Sequence, residues 1–172
     1  MSYALPEPNI DIVLVELSQN LKYGRDISPI CISKNVKPKV GDVAVVAGFG
    51  TLYIEYDPTG YAGVDSEANH LLHEGLVTVK DFTKCTNLTR ENEETAICAG
   101  GINRGVMPGD SGGPIMGVKN NKFYLYGSVS GGRAFQAGDD NLTVNEFDAY
   151  TIVSSHCDWI EAVTKGDVKC EK

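Results

Sequence analysis

The sequence predicts an all-β protein, and three observations carry that reading. Glycine and proline are frequent, 19 and 7 among 172 residues, in a chain that is 42% hydrophobic; this suits a globular, turn-rich β protein. The apolar residues fall in short runs or alternate with their neighbours, as strands require. A helical period shows in one place, near the C-terminus. The length suffices for one sizeable core or two small ones.

Taken in order, residues 10–17 (Ile10-Asp11-Ile12-Val13-Leu14-Val15-Glu16-Leu17) predict the first strand. Both of its faces are apolar, so burial on both sides is expected. Residues 18–41 are a connector punctuated by Pro29, Pro38 and Gly41. Val43 to Phe49 is the next strand, closed by Gly48 and Gly50. Residues 51–69 hold Asp57-Pro58-Thr59-Gly60 and predict a loop or loose hairpin. Leu71 to Val79 predicts a strand, and Asp81 to Asn92 a polar loop with room for a helical turn. Phe123 to Val129 alternates aromatic and aliphatic residues, as a sheet does. Residues 133–147 predict a long polar loop, and Ala149 to Val153 a returning strand. The period then changes. Ser155-His156-Cys157-Asp158 has capping-box spacing with Asp in the acidic position. Trp159, Ile160 and Val163 share one face, and Gly166 after Lys165 is a stop signal, so a short amphipathic helix is expected.

A net charge of −8 argues against nucleic acid and anionic membranes as partners. No run of 18 apolar residues exists to make a membrane-spanning helix. The first eight residues have neither a basic stretch nor an apolar core, so they are not a secretory signal. Yet Asn87-Leu88-Thr89 and Asn141-Leu142-Thr143 are glycosylation acceptor sequences, and five cysteines, if paired, imply an oxidising compartment. A secreted-type protein without a signal predicts that the true N-terminus lies upstream of Met1.

The chemistry concentrates in Gly109-Asp110-Ser111-Gly112-Gly113-Pro114. Three glycines let the chain turn sharply, display the Ser111 hydroxyl and aim backbone N–H groups at one point. Two N–H groups beside a serine suit acyl transfer, where oxyanion charge develops; the plainer reading is a Gly-rich turn. The flanks weigh for the first. Thr95-Ala96-Ile97-Cys98-Ala99-Gly100-Gly101 precedes the hexapeptide; Tyr126-Gly127-Ser128-Val129-Ser130-Gly131-Gly132, Tyr150-Thr151-Ile152-Val153 and Asp158-Trp159-Ile160 follow it. Upstream lie residues 10–17 and Val46-Ala47-Gly48-Phe49-Gly50. In this order, over about residues 9–163, the blocks resemble those of the chymotrypsin-like (trypsin-like) serine proteases.

The resemblance implies a trypsin-like double β-barrel with the first barrel largely missing: residues 1–40 a remnant of it and the connector, 41–153 a complete six-stranded second barrel, 154–166 the C-terminal helix and 167–172 a tail. It implies Ser111 as nucleophile, Gly109 and Ser111 as oxyanion-hole donors, and Asp11 as triad acid, against the bland alternative of a strand-end acid facing water. Asp110 is expected to bury its carboxylate against an amino terminus released by zymogen cleavage. Ser130 would hydrogen-bond Asp11, and the backbone of residues 130–132 would pair with an extended substrate. Gly105 falls at the floor of the specificity pocket, with Ser130, Gly131 and Gly132 along its side. Asp148 falls on the opposite wall, where it either attracts a basic side chain or belongs to the 133–147 loop and points outward; both readings stay open. A parent enzyme cutting after basic residues, or after basic and apolar ones alike, follows from the first.

Cys85 and Cys98 match a family disulfide. Two other family bridges are absent together: one would join Ala44 to Gly117, the other Met107 to the loop after Gly132. Cys31 matches the cysteine that tethers an activation peptide and is unpaired here or has lost its partner. Cys157 and Cys170 either pair with each other, folding the tail over the helix, or bonded to a missing region.

The family's base is a histidine preceding the triad acid. Nothing before Asp11 is histidine. His70, His73 and His156 match non-catalytic stretches and are expected at the surface or in packing. The expectation is therefore a serine endopeptidase by family whose present chain, alone, is poorly stable and inert. Its partners would be protein or peptide substrates and the missing barrel segment or propeptide, in an extracellular setting. No cofactor is implied and no metal cluster stands out, although acidic loops could hold calcium weakly. The rival readings are a non-catalytic homologue binding a protein partner through the same cleft and, less supported, an inhibitor or structural β-domain.

Overall fold

A computed structural model of the chain describes residues 2–4, 10–51, 55–56, 62–63, 70–137 and 143–172. The chain forms β1 (Ser2–Ala4), β2 (Leu14–Glu16), β3 (Val43–Gly48), β4 (Glu55–Tyr56), β5 (Ala62–Gly63), β6 (His73–Lys80), β7 (Ala96–Gly100), β8 (Pro114–Lys119), β9 (Lys122–Gln136), β10 (Val144–Ile152) and α1 (Cys157–Val163). Six strands close into an antiparallel barrel in the order β10-β7-β6-β3-β8-β9. Period-2 alternation builds its interior: Ala44 and Val46 from β3, Val77 and Val79 from β6, and Ile97 and Ala99 from β7 meet Ile115, Val129, Tyr150 and Ile152 in one buried cluster. A smaller cluster of Cys85, Cys98 and Ala149 lies under Phe82, Leu88 and Phe147.

Cys85 and Cys98 are bonded, as the resemblance implied. Cys157 and Cys170 are bonded to each other, which decides between the two alternatives for that pair. Cys31 is a free thiol. The β3–β8 register pairs Val45 with Met116 and Val46 with Ile115, so Ala44 faces Gly117 across the ladder, where the family bridge would run. The space is taken instead by Tyr126, whose ring a Cβ on Gly117 would overlap.

Four expectations are corrected. The strand at residues 10–17 shrinks to Leu14–Glu16. Far from being buried on both sides, Val13, Val15 and Leu17 are each about half exposed, at 48%, 51% and 48%. The reason is local: among the described residues the strand partner of β2 is the three-residue β1, and the two form a sheet of their own. Second, the polar loop at 133–147 is largely strand. β9 runs to Gln136 and β10 starts at Val144, held by cross-strand pairs from Val144↔Gln136 to Asp148↔Gly132. Ladder pairing overrides polar composition here. Third, the capping box does not form: α1 starts after a 3-10 turn at Ser154–His156 without a side-chain cap, and the Ser155 hydroxyl donates to the Glu94 carbonyl instead. Fourth, the face shared by Trp159, Ile160 and Val163 is only partly buried, Ile160 fully and Val163 40% exposed. The stop at Gly166 is present, with φ +85°. The 51–69 stretch contains the short β4–β5 hairpin.

Candidate active site

The glycine-rich turn is laced to β9. Gly112 N–H donates to the Val129 carbonyl and Val129 N–H to the Gly113 carbonyl, at 2.9 and 2.8 Å. Gly109 has φ +100°, a region open to glycine and costly for other residues, and a Cβ there would press on Gly50. Asp110 lies beneath the turn, partly buried. Its Oδ1 accepts from Gly50 N–H at 2.8 Å and its Oδ2 from Met107 N–H at 2.9 Å. A carboxylate tied to two main-chain donors from different segments fixes the turn. Ser111 is exposed at its crest. No described residue accepts a hydrogen bond from the Gly109 or Ser111 N–H, so both remain for an incoming oxygen.

Asp11 and Ser111 both border a cleft of about 800 Å³. Its walls are otherwise mostly apolar and include Ile10, Ile12, Val13, Leu14, Ile160 and Val168. The volume is many times the ~30 Å³ share of one water. The Ser130 hydroxyl donates to Asp11 Oδ2 at 2.9 Å, the bond that the resemblance implied. Asp11 N–H faces Glu91 Oε1 at 3.3 Å, and the Thr151 hydroxyl lies 3.0 Å from the Asp11 carbonyl oxygen. Gly131 and Gly132 pair with Ala149 and Asp148 of β10 along one edge, with Ser130 at a bulge in the ladder; β8 reaches only as far as Ser128 along the other, and no strand among the described residues continues that edge.

None of the three histidines borders this cleft. His70 is exposed, and His73 is exposed on β6 with Nδ1 3.0 Å from the Leu71 carbonyl oxygen. His156 is buried beside Trp159, edge-to-face at 6.5 Å, and burial holds its pKa below the usual imidazole value.

Asp148 is 1% exposed and turned inward, in β10 rather than on a loop. Its Oδ2 accepts from Val106 N–H at 3.1 Å and lies 3.3 Å from the Tyr150 hydroxyl. A Cβ on Gly132 would come within 2.5 Å of its Oδ1, and one on Gly105 within 2.8 Å of its Oδ2. The carboxyl group thus fills the space between the two glycines that the sequence assigned to one pocket. A second acid joins it. Glu146 is 3% exposed, its Oε2 has no hydrogen-bond partner among the described residues, and a Cβ on Gly105 would overlap that atom. Burial, then the neighbouring Glu146 charge, pushes Asp148 up to about 8; burial pushes Glu146 up to about 7.

Sequence reasoning did not single out Glu146 or Glu91. A signal for Glu146 existed: with residues 144–150 read as a strand, period 2 puts Glu146, Asp148 and Tyr150 on one face. Glu91 carried none, because loop packing brings it to Asp11. Asn87 is exposed on the loop after Cys85, in an adjoining cleft with Asp11 and Ser130. Asn141 lies outside the described residues.

The family profile described as Trypsin matches residues 2–160. The chain is 28% identical over 168 residues to the complement C1s subcomponent of Rattus norvegicus, covering 87% of this chain and 21% of that protein. It is 31% identical over 160 residues to granzyme B of Rattus norvegicus, covering 90% and 56%. Against vitamin K-dependent protein C of Oryctolagus cuniculus the identity is 29% over 172 residues, covering 94% and 34%. The chain therefore spans from about a fifth to just over half of the length of these relatives.

Proposed function

Because the chain belongs to the trypsin family of serine proteases, we propose that it carries the nucleophile, the oxyanion donors and the triad acid of a serine endopeptidase, and that the imidazole completing them comes from a segment outside these 172 residues. One observation carries this reading: Ser111 and Asp11 border one cleft, and none of the three histidines of the sequence does.

In the completed site an imidazole hydrogen-bonded to Asp11 takes the Ser111 hydroxyl proton as Oγ attacks the peptide carbonyl carbon. The negative charge passes to the carbonyl oxygen, held by the Gly109 and Ser111 N–H groups. The proton moves on to the leaving amine, and water then releases the acyl group from Ser111 by the same steps. The free edge of residues 130–132 supports an extended peptide as substrate. Asp148 and the pocket glycines Gly105, Gly131 and Gly132 support a preference for basic side chains once the carboxyl is ionised. The segment that brings the imidazole would also cover Val13, Val15 and Leu17, and the two disulfides support an extracellular setting.

The test is hydrolysis of a peptide ester by the 172-residue chain alone and by the chain combined with a first-barrel segment bearing the histidine. The chain alone is expected to be silent, and the combination active in a manner abolished by Ser111→Ala. Asp11→Asn should cost about 10⁴ in kcat. Turnover by the isolated chain that Ser111→Ala removes would refute the reading. A silent combination that still binds peptide in the cleft would favour the non-catalytic homologue.

A further inference from the structure

Asp11 stands outside the barrel, on residues that join no strand, yet catalysis would need it at a fixed distance from Ser111. Ladder hydrogen bonds cannot supply that anchoring. Three side chains from three separate segments do. Ser130 of β9 holds the carboxylate. Glu91, from the loop before β7, accepts the Asp11 N–H on Oε1. Thr151 of β10, fully buried, places its hydroxyl 3.0 Å from the Asp11 carbonyl oxygen and 2.5 Å from the same Glu91 oxygen. A hydroxyl has one proton to donate, so Thr151 serves Glu91 and Asp11 in turn, and the pair faces both main-chain polar groups of Asp11. The other Glu91 oxygen is buried without a hydrogen-bond partner among the described residues. An uncompensated carboxylate oxygen is unfavourable there.

We propose that Glu91 is a positioning residue for the triad acid: together with Thr151 it fixes the Asp11 main chain, while Ser130 orients the carboxylate. The functional part rests on reading Asp11 as the triad acid; the tether itself does not.

Amide hydrogen exchange of the full 172-residue chain, followed by NMR, tests the tether. In Glu91→Ala the Asp11 amide should exchange about tenfold faster, the worth of one hydrogen bond. Barrel amides such as Val46 and Val77 should be unchanged. Glu91→Gln keeps an acceptor oxygen and should stay within about threefold of the parent. Thr151→Val, near-isosteric, should also speed Asp11 exchange and provides the test if Glu91→Ala does not fold. In the chain combined with the histidine-bearing segment, Glu91→Ala should lower kcat about 10- to 100-fold with KM nearly constant, as misplacement of a catalytic group does. Glu91→Gln should restore most of it. Unchanged Asp11 exchange in both Glu91→Ala and Thr151→Val would overturn the proposal. So would Glu91→Ala and Glu91→Gln losing barrel protection alike, the mark of a merely structural role. If no combination hydrolyses ester, the endopeptidase reading fails while Asp11 exchange still decides the tether.

Discussion

Replacing Asp148 by Asn should stabilise the fold increasingly as pH rises from about 4 to about 8. Asp148 and Glu146 are buried against Gly105, and both carboxyls are raised, to about 8 and about 7 from ordinary values of 3.8 and 4.5. The sign follows from linkage. Below about pH 4 native and unfolded chains both hold these protons, and the pair contributes nothing. As pH rises, the unfolded carboxyls ionise while the native ones stay protonated, so stability falls until about pH 8, where the full penalty is reached. One pKa unit corresponds to ~1.4 kcal/mol. Because the two groups share one site, their penalties are not additive. A gain on the order of 2–4 kcal/mol for Asp148→Asn at pH 8.5 is therefore expected, against about 1 kcal/mol or less at pH 4. Asn keeps an oxygen for the Val106 N–H. For a chain of this size the gain corresponds to a rise in Tm of roughly 5–15 °C. Urea unfolding at the two pH values, with calorimetry as a second probe, measures it. An Asn variant equally stabilised at both, or less stable than the parent at pH 8.5, would refute the argument that an ionised carboxylate is unwelcome in that space.

Two further outcomes follow from packing. Cys157→Ser with Cys170→Ser opens a bond that spans 13 residues and should lower unfolding stability by about 2–4 kcal/mol; unchanged midpoints in urea would mean that the tail holds without it. Gly117→Ala puts a methyl into the Tyr126 ring and should cost about 1–3 kcal/mol by overpacking, relieved in the Gly117→Ala/Tyr126→Ala double variant; additive losses in a double-mutant cycle would contradict that contact.

The sequence made the barrel legible because its strands alternate in a period of two and its turn glycines fall between them. Ser111, Gly109, Asp11 and Ser130 were legible as a constellation, since each belongs to a block whose order along the chain matched a family. Less was legible where pairing partners decide. Residues 133–136 and 144–147 are polar enough to pass for loop, yet each has a partner across the ladder. Residues 10–17 are apolar enough to pass for a buried strand, but burial needs a second surface, and among the described residues β2 has β1 alone beside it. The orientation of Asp148 depended on the same strand assignment. Glu91 reaches Asp11 from 80 residues away by way of loop packing, which no local pattern encodes.

The last residues of the chain also hold up part of the cleft. Glu171 exchanges main-chain hydrogen bonds with Ile32 and Lys34, and its carboxylate takes the Tyr124 hydroxyl at 2.7 Å. Cys31 is clipped in turn to Phe123 and Leu125. Residues 31–34 are therefore a rail between β9 and the tail, and the rail carries Ile32 into the cleft wall beside Ile160 and Val168. Of the two disulfides, Cys157–Cys170, which ties this tail to α1, ends at the half-buried Cys170, whereas Cys85–Cys98 is sealed in a packed cluster. Mild reductant would reach the rail first, slackening the back of the groove while the side nearest Asp148 keeps its shape.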